Sequence, residues 1–445
     1  MKTAIKNIIG LVKKTWHFMW SVVGTFMLKG HQEKMIMVGV TGTKGKSTVV
    51  SILSFVLSKL DVKFASHSTM EVWKNNKRIP NHKKMTMPGR WALPQFFREA
   101  SLDGAKVGIV EVTSWGLEQF RANCFNFDIV AITNLQKEHI EIHGGFENYK
   151  KAKGKLFQLL TKHKNKYINN KKIDKTSIVN FDDLNENFFV SFNADKKYVI
   201  SIKDSQHNSK ANILNLNLVK PENLDVSEKG ISFMLDGVNF NVGLYGVFNV
   251  YNILTAVTIL KALKMDMGDV ALALKEYKGA SGRMEFVKTK SDVNVVIDYA
   301  HTPDSLKAVL TAVKSLGFKK IISVIGSCGG SGRDKWKRPE MGRIASEISD
   351  YVIITNEDPY DEDPNKIVNS IYAGVIDKNK ARIILDRKTA IEKAIDLVKQ
   401  ENEIVVVTGK GAEKVIMIKD GLKGIKAQEY EGDYNIAKKY LDTKN

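Results

Sequence analysis

The chain has 445 residues, 43% of them hydrophobic, which is too long for one core and predicts two or three domains of ordinary size. Its two cysteines, Cys124 and Cys328, show neither zinc-site spacing nor the density of a disulfide scaffold, which favours a reducing cytoplasm. The formal charge of +19 comes from lysine and arginine along nearly the whole chain. We interpret this positive charge as a solvated, lysine-rich surface and not as a nucleic-acid-binding surface, because no nucleic-acid-binding motif accompanies it.

The N-terminal segment, residues 1–34, is predicted to be helical. Residues 15–28 (TWHFMWSVVGTFML) carry no formal charge and follow Lys13 and Lys14. This stretch is too short to span a bilayer, and no small-residue cleavage site of a signal peptide follows it. We expect a helix packed on the following domain, with a helix in the membrane interface as the alternative.

Residues 35–280 are predicted to form a central α/β domain. An apolar run, a glycine-containing turn and an amphipathic stretch to Leu60 give the strand–loop–helix order of a nucleotide-binding unit. Apolar strands follow near 106–112, 128–133 and 198–202, which indicates a mainly parallel sheet. The charged stretch 162–175 reads as a surface loop, and residues 180–241 read as an insertion with short strands.

Residues 281–445 are predicted to form a second, doubly wound (Rossmann-like) domain. Four strand–helix alternations begin near Ser291 and end with EIVVVTGKG. The boundary is set near Ala280, where KGASGR has linker composition. The predicted fold is therefore α/β, a P-loop domain followed by a doubly wound domain.

The turn after the first strand has the chemistry of a nucleotide triphosphate site. Small residues let backbone N–H groups approach phosphate oxygens, a lysine reaches the outer phosphates, and a hydroxyl suits magnesium. The Walker pattern is incomplete, because Val40 stands where glycine is expected and Gly39 comes one step too early. The predicted nucleotide-binding residues of this turn are Thr41, Gly42, Thr43, Lys44, Gly45, Lys46, Ser47 and Thr48.

This short form, T-G-T-x-G-K-[ST]-[ST], resembles the Mur ligases and the related folylpolyglutamate synthases. Further motifs fall in the order found in the Mur tripeptide synthetases, and the resemblance covers about nine-tenths of the chain. They are Glu111 to Leu117, Thr133 to Leu135 with His139, Tyr149 with Ala152 and Lys153, Gly246 with Asn249 and Asn252, Gly282 to Glu285, Asp298 to Pro303, and Gly409 to Gly411 with Glu413.

The resemblance implies an ATP-dependent, ADP-forming ligase of peptidoglycan precursor synthesis that makes an amide through an acyl phosphate. It implies ATP and Mg²⁺ as cofactors, with Lys46 on the phosphates. Ser47 and Glu111 hold one magnesium, and His139 helps to hold a second. Lys153 matches the lysine that the family carbamylates, which converts a repelling ammonium into an anionic group.

Other residues receive nucleotide roles from the resemblance. Asn249 and Asn252 match positions that offer donor and acceptor edges to adenine, although a helix-capping asparagine would look the same. Arg283 matches the linker arginine that reaches phosphates, and it joins Lys46, Lys153 and His139 as a catalytic candidate. Asp298 and His301 follow a strand where doubly wound folds place ligands.

The predicted residues for the acyl substrate are Thr86, Ser114, Gln119 and Arg121, again by resemblance. Those for the amino acid are Glu357, Asp358, Tyr360, Gly409 and Glu413. Family members that add diaminopimelate have Asp-Asn-Pro-Arg, whose arginine pairs with a carboxylate. Here the segment ends in Tyr360, which cannot make that pair. Glu357, Asp358 and the acidic run 361–363 are instead expected to receive a cationic side chain such as that of lysine or ornithine.

The tripeptide synthetases begin with a domain of about 100 residues that binds uridine diphosphate. Only 34 residues precede Met35 here, so we expect the nucleotide part of the substrate to be held otherwise or the substrate to differ. The partners expected are small molecules, a nucleotide-sugar peptide and an amino acid. The alternatives are a folylpolyglutamate-type or cyanophycin-type ligase and a nucleotide-binding protein without turnover.

Overall fold

The computed structural model describes residues 2–79, 85–89, 91–138, 140–203, 206–330, 335–421 and 424–444, with side chains from residue 15 onward except 140 and 206–209. The chain folds into two compact units. Unit 1 comprises Met1–Asp225, Ser232–Val242 and Phe248–Tyr277, and unit 2 comprises Val226–Ile231, Gly243–Val247 and Lys278–Asn445.

The first part of the chain alternates strands and helices. The helices up to residue 275 are α1 (Lys2–Leu28), α2 (Lys46–Lys59), α3 (Ala92–Leu102), α4 (Ser114–Glu118), α5 (Ile140–His143), α6 (Phe146–Lys162), α7 (Glu186–Val190), α8 (Gln206–Ile213), α9 (Val247–Ala262) and α10 (Met267–Lys275). The strands up to residue 242 are β1 (Ile36–Thr41), β2 (Phe64–His67), β3 (Val72–Lys74), β4 (Lys77–Ile79), β5 (Val107–Glu111), β6 (Ile129–Ile132), β7 (Tyr167–Ile168), β8 (Lys171–Lys172), β9 (Thr176–Asn180), β10 (Lys196–Ile200), β11 (Asn217–Val219), β12 (Glu222–Ser227), β13 (Gly230–Leu235) and β14 (Val238–Val242).

Nine of these strands form one sheet in the order β11-β10-β9-β6-β1-β5-β2-β3-β4. The pairings from β11 to β2 are parallel, and β3 and β4 are antiparallel at one edge. Strands β1, β5 and β6 are apolar and buried along almost their whole length, as parallel strands covered on both faces are. Because Val40 pairs with Glu111 and Thr41 with Ile132, the carboxyl ends of these strands meet at one edge.

The segment predicted as an insertion divides in two. Strand β10, which overlaps the strand predicted near 198–202, and strand β11 extend the main sheet beside β9. Strands β12, β13 and β14 form a separate three-stranded sheet. The charged stretch after α6 holds the short antiparallel hairpin β7–β8. Sequence could not assign strands β11 to β14 to one sheet or the other, because short polar strands look alike whichever sheet they join.

Helix α1 packs on unit 1 through one face, as predicted. Leu28 is fully buried in the core of unit 1. The ring centroids of Phe18 and Phe120 lie 5.7 Å apart, and those of Trp20 and Trp91 lie 6.5 Å apart. Among the described residues, no helix is both long enough and apolar enough to cross a membrane.

A buried ion cluster fixes the amino end of the central strands of unit 1. Asp128, just ahead of β6, is fully buried. Its carboxylate accepts hydrogen bonds from the Met37 backbone N at 2.9 Å, Lys166 Nζ at 2.6 Å and Lys175 Nζ at 3.2 Å. Burial lowers the pKa of both lysines, and the Asp128 charge opposes that shift. The aspartate therefore keeps two buried ammonium groups compensated.

Replacing Asp128 with alanine should destabilise the fold by about 3–5 kcal/mol, because two buried ammonium groups lose their counter-ion. Urea unfolding followed by circular dichroism measures the change. The matched control is Glu276→Ala, which removes the partner of Lys59 from an exposed ion pair and should cost about 1 kcal/mol or less. Equal destabilisation by the two variants would contradict this account of the cluster.

Unit 2 is a doubly wound α/β layer, which confirms the predicted fold class. Its main elements are β15 (Glu285–Phe286), β16 (Asn294–Asp298), α11 (Pro303–Ser315), β17 (Lys320–Ile325), α12 (Lys337–Ile348), β18 (Tyr351–Ile354), α13 (Pro364–Ala373), β19 (Ala381–Ile383), α14 (Arg387–Asp396), β20 (Glu403–Thr408), β21 (Val415–Lys419), β22 (Ile425–Glu429) and α15 (Asp433–Thr443). The sheet order is β15-β16-β20-β17-β18-β19, parallel except for β15, and β21 and β22 form a separate hairpin. Single 3-10 turns lie at Gln32–Lys34 and Lys378–Lys380.

Candidate active site

The turn between β1 and α2 can be made only with glycine at two positions. Gly42 and Gly45 have φ angles of 146° and 83°. A Cβ on Gly42 would lie 1.9 Å from Thr133 Oγ1, and one on Gly45 would lie 2.2 Å from Asn252 Oδ1. The loop is therefore packed between residues from two other parts of unit 1. Its backbone forms the entry to α2, where N–H groups and the helix dipole favour an anion.

Lys46 and the flanking threonines Thr41 and Thr48 lie in and beside this loop. Lys46 Nζ donates to the carbonyl oxygens of Gly42 at 3.0 Å and Thr43 at 2.9 Å, so the ammonium lies over the loop. Thr41 Oγ1 donates to the Val112 carbonyl at 2.9 Å and ties β1 to the residue after β5. Thr48 is buried in the first turn of α2.

Ser47 and Glu111 form a buried pair of oxygen ligands beside the loop. Ser47 Oγ donates to Glu111 Oε2 at 2.8 Å, and the Thr69 backbone N donates to the same oxygen at 2.9 Å. Thr69, which the sequence analysis missed, follows β2, the neighbour of β5. A hydroxyl and a carboxylate are oxygen donors of the kind that magnesium takes, so these residues fit the implied ion.

The loop after β6 holds the other side of the phosphate-binding loop. Asn134 Oδ1 accepts from the Lys44 backbone N at 2.9 Å, and its Nδ2 donates to the Lys44 carbonyl at 3.1 Å. Lys44 Nζ pairs with Glu138 Oε1 at 2.8 Å. Asn134 therefore fixes the backbone of Lys44 and Glu138 fixes its ammonium. The sequence motif alone did not indicate these contacts. His139, the predicted ligand of a second magnesium, lies outside the described residues.

Lys153 is buried on α6 with its amine directed at the same loop. Its Nζ donates to the Gly42 carbonyl at 2.7 Å and lies 4.6 Å from the centre of the Tyr149 ring. Burial lowers the pKa of Lys153 well below its ordinary value, and the neighbouring Lys46 charge lowers it further. Tyr149 in turn shares a hydrogen bond with Thr43 at 3.1 Å. The Lys153 side chain therefore lies against the loop at Gly42 and not on the solvated surface of α6.

The two asparagines predicted to face adenine lie on α9. Asn252 Nδ2 donates to Asn249 Oδ1 at 3.0 Å, and both side chains are buried. The contact of Asn252 Oδ1 with Gly45 places this pair against the phosphate-binding loop. Their role in holding a base remains a prediction.

The four residues predicted for the acyl substrate lie in segments that adjoin the Glu111 edge. Thr86 Oγ1 shares a hydrogen bond of 2.6 Å with Thr69 Oγ1, which itself contacts Glu111. Ser114 Oγ shares one of 3.1 Å with His143 Nε2. Arg121 donates to the Met87 carbonyl. Gln119 Oε1 is buried without a hydrogen-bond partner in the described part of the chain.

In unit 2, Asp298 organises the turn that carries Arg283. At the end of β16, its Oδ2 accepts from the Met284 backbone N at 2.8 Å and its Oδ1 from the Ala300 N at 2.7 Å. The Arg283 guanidinium lies 4.6 Å from the centre of the Tyr299 ring. His301 Nδ1 shares a hydrogen bond of 2.8 Å with the Tyr299 carbonyl. Arg283, Asp298 and His301 are therefore brought together around one turn.

A second group in unit 2 surrounds a buried lysine. Lys410 Nζ lies 2.9 Å from both carboxylate oxygens of Asp358 and 2.5 Å from Glu413 Oε2. Burial lowers the pKa of Lys410, but Glu413 and Asp358 raise it by more, and the net shift is upward. Tyr299 OH donates to Glu413 Oε1 at 3.1 Å and joins the two groups of unit 2.

Glu357 is the least compensated carboxylate of this second group. Its Oε1 accepts from Cys328 Sγ at 2.9 Å, while its Oε2 is buried without a hydrogen-bond partner in the described part of the chain. Burial raises the pKa of Glu357. Gly409 has a φ of 108°, and a Cβ there would lie 2.5 Å from Glu357 Oε2. Tyr360 has a φ of 54° and donates its backbone N–H to Met417.

Ligand atoms of Cys328, Glu357 and Asp358 lie within 4.8 Å of one another, close enough for a metal. Asp358 is already paired with the Lys410 ammonium, which supplies the positive charge at this place. We therefore assign no metal to this cluster.

The fold and the first site define an enzyme of nucleotide-dependent chemistry. A phosphate-binding loop, a pair of magnesium-type ligands and a buried lysine converge on one edge of a parallel sheet, and a doubly wound unit with its own charged groups follows.

Comparisons with known proteins identify the family. The Mur ligase middle domain matches residues 40–260, and the Mur ligase glutamate ligase domain matches residues 282–411. The chain belongs to the Mur ligase family, and it is an ATP-dependent, ADP-forming amide ligase.

Two relatives with the name of a Mur ligase are similar to this chain over most of its length. The chain is 32% identical over 387 residues to the UDP-N-acetylmuramoyl-L-alanyl-D-glutamate–2,6-diaminopimelate ligase of Alkaliphilus oremlandii, covering 86% of this chain and 74% of that one. It is 34% identical over 446 residues to the ligase of the same name from Buchnera aphidicola subsp. Baizongia pistaciae, covering 99% and 80%.

Solved structures show the same architecture. A structure of a ligase with this name aligns with a TM-score of 0.60 and 26% identity, covering 92% of this chain and 79% of that one. Folylpolyglutamate synthase of Mycobacterium tuberculosis aligns with a TM-score of 0.63 at 14% identity, covering 88% and 92%. The second likeness shows the fold alone.

Proposed function

We propose that this enzyme joins an amino acid to the terminal carboxylate of a UDP-N-acetylmuramoyl-peptide or a close analogue, in peptidoglycan precursor synthesis. The observation that carries the proposal is the convergence of Lys46, the Ser47–Glu111 pair and buried Lys153 on the loop at Gly42. The substrates are small molecules and no nucleic acid takes part. The free thiols of Cys124 and Cys328 suit a cytoplasmic enzyme.

The reaction needs activation, because a carboxylate resists attack by an amine. The γ-phosphoryl group of ATP is transferred to a carboxylate oxygen, and the amine nitrogen then attacks the acyl carbon and releases phosphate. Lys46 binds the phosphates and α2 directs its N-terminus at them. Ser47 and Glu111 would hold magnesium, and the bound ion would supply positive charge to the transferred group.

We propose that Lys153 is carbamylated. Burial lowers the pKa of Lys153 and so favours the neutral amine, which is the form that attacks CO₂. The nitrogen bonds to the CO₂ carbon and loses a proton, which gives a carbamate of negative charge. The product removes the repulsion between Lys153 and Lys46 and places an anionic oxygen group in the magnesium site.

For the incoming amino acid, the geometry of unit 2 favours Glu357 over Asp358. Asp358 is paired with Lys410, whereas Glu357 Oε2 is buried and lacks a hydrogen-bond partner in the described ranges. A side-chain ammonium such as that of lysine or ornithine would compensate this carboxylate. The relatives are named for 2,6-diaminopimelate, which also carries a second amine. We therefore propose a diamino acid as the acceptor, with Tyr360 in place of the arginine that would bind the second carboxylate of diaminopimelate.

Glu357→Gln should raise KM for such an amino acid about tenfold or more with little change in kcat, because a charge-assisted hydrogen bond is lost. Phosphate release at varied amino acid concentration measures both parameters. Asp361→Asn, which removes an exposed acidic residue four positions along, is the control and should leave KM unchanged. An acceptor screen in which diaminopimelate alone supports phosphate release would contradict the preference for lysine or ornithine.

The proposed function is tested by incubating the chain with ATP, magnesium, candidate muramoyl-peptides and a mixture of amino acids. We expect ADP, phosphate and a conjugate whose mass is the sum of both substrates less one water. Lys46→Ala should abolish all three products, because the phosphates lose their cation. Conjugation of a folate or a cyanophycin-type peptide in place of muramoyl-peptides would overturn the substrate, and ATP binding without any conjugate would overturn the reaction.

A further inference from the structure

Helix α1 presents a stripe of large apolar side chains to solvent. Trp16 is 55% exposed, Met19 57% and Phe26 71%, and Val23 lies between them on the same face. Residues 16, 19, 23 and 26 are spaced by three or four positions, so they form one line along the helix. Side chains this large are rarely left together on a surface without a partner.

The stripe is held outward by the opposite face of the helix. Ser21 and Leu28 are buried, and Phe18 and Trp20 contact rings of unit 1. Trp91, which meets Trp20, is itself 51% exposed and extends the apolar surface. Rotation of α1 to hide the stripe would break the packing of Leu28 and both ring pairs.

The sequence continues the same spacing toward the N-terminus. Ile5, Ile8, Ile9 and Val12 precede Trp16 at helical intervals. Helix α1 has 27 residues, which at about 1.5 Å per residue gives a length of about 40 Å. The spacing therefore predicts an extended apolar line and not an isolated hydrophobic residue.

The charge of the N-terminal segment favours an anionic lipid surface over a second copy of the helix as the partner of this stripe. The first 32 residues contain no aspartate or glutamate. Their basic residues, five in all, are Lys2, Lys6, Lys13, Lys14 and Lys29. A second copy of the helix would bring two such charges together, whereas anionic lipid headgroups would complement them. Tryptophan beside lysine is also the composition of helices at the boundary between headgroups and acyl chains.

We propose that α1 is an interfacial helix that docks unit 1 on an anionic lipid bilayer. The apolar stripe enters the boundary between headgroups and acyl chains, and the lysines contact the headgroup phosphates. The helix lies in the plane of the surface and does not cross it. The enzyme thereby works beside the membrane.

Vesicle co-sedimentation of the full chain tests this proposal. We expect binding to phosphatidylcholine vesicles that contain about 30 mol% phosphatidylglycerol, with weaker binding to pure phosphatidylcholine and at high salt. The double variant Trp16→Ser/Phe26→Ser should lower the vesicle affinity by about tenfold or more, because two of the largest inserted side chains are lost. Leu184→Ser/Leu272→Ser, which changes two residues 98% and 69% exposed, should bind like the wild type.

The double variant Lys13→Glu/Lys14→Glu tests the electrostatic contribution independently. It should abolish the preference for vesicles that contain phosphatidylglycerol. Phosphate release in solution should be unchanged in all three variants, which separates docking from folding and from the proposed ligase reaction. Absence of sedimentation with anionic vesicles, or equal binding by the Trp16/Phe26 variant, would overturn the proposal. So would a dimer in sedimentation velocity that the same two substitutions dissociate, because that result assigns the stripe to a second copy.

Discussion

Lys153→Arg is expected to reduce kcat by about 10³-fold or more, comparable to the loss of a group that stabilises transition-state charge. Arginine keeps a positive charge beside Lys46 and cannot be carbamylated, so the magnesium site loses an anionic group and gains a permanent cation. ADP release at saturating ATP measures the effect. Lys151→Arg, an exposed change two positions away on α6, should leave the rate unchanged.

The carbamate should also be visible directly. With ¹³C-bicarbonate, the wild type should give a carbamate carbon signal that Lys153→Arg lacks and Lys151→Arg retains. Carbamate formation releases a proton, so at fixed dissolved CO₂ the signal should grow as pH rises and disappear in acid. A wild-type enzyme that shows no such signal at full activity would contradict the carbamylation of Lys153.

Glu111→Gln is the second change with a large expected effect, about 10²- to 10³-fold in kcat. The amide keeps the shape of the side chain and removes the charge that faces Ser47 and would bind magnesium. We expect the magnesium concentration for half-maximal rate to rise as well. Initial rates across a magnesium titration measure both changes.

Glu71→Gln is the matched control for Glu111, because Glu71 is also a buried carboxylate of unit 1 with a hydroxyl neighbour, Ser51. It should alter the thermal midpoint without moving the magnesium requirement. If Glu111→Gln leaves that requirement at the wild-type value, the assignment of Ser47 and Glu111 to the ion is wrong.

Sequence carried the prediction of the phosphate-binding loop and of the parallel sheet because both are local patterns. The run from Met35 to Val50 shows a buried strand, a glycine turn and a helix in consecutive residues. The parallel sheet also explains the meeting of Glu111 and Ser47, since the carboxyl ends of parallel strands share one edge.

Contacts between distant segments could not be predicted in this way. Lys44 and Glu138 are 94 residues apart, and Thr69 lies 42 residues before Glu111. Nothing in the local pattern of Thr69 or Glu138 marks them, because their positions depend on which strands become neighbours. The pairing of Asp358 with Lys410 is similar, and it changed which acidic residue we assign to the amino acid.

The central claim is that the carboxylate is activated as an acyl phosphate, and oxygen transfer tests it most directly. A muramoyl-peptide labelled with ¹⁸O in its terminal carboxylate is converted with ATP and amino acid, and the phosphate is analysed by mass. We predict one ¹⁸O atom in each phosphate released, since the bridging oxygen of the acyl phosphate comes from the carboxylate. Phosphate without ¹⁸O beside a formed amide would contradict the account.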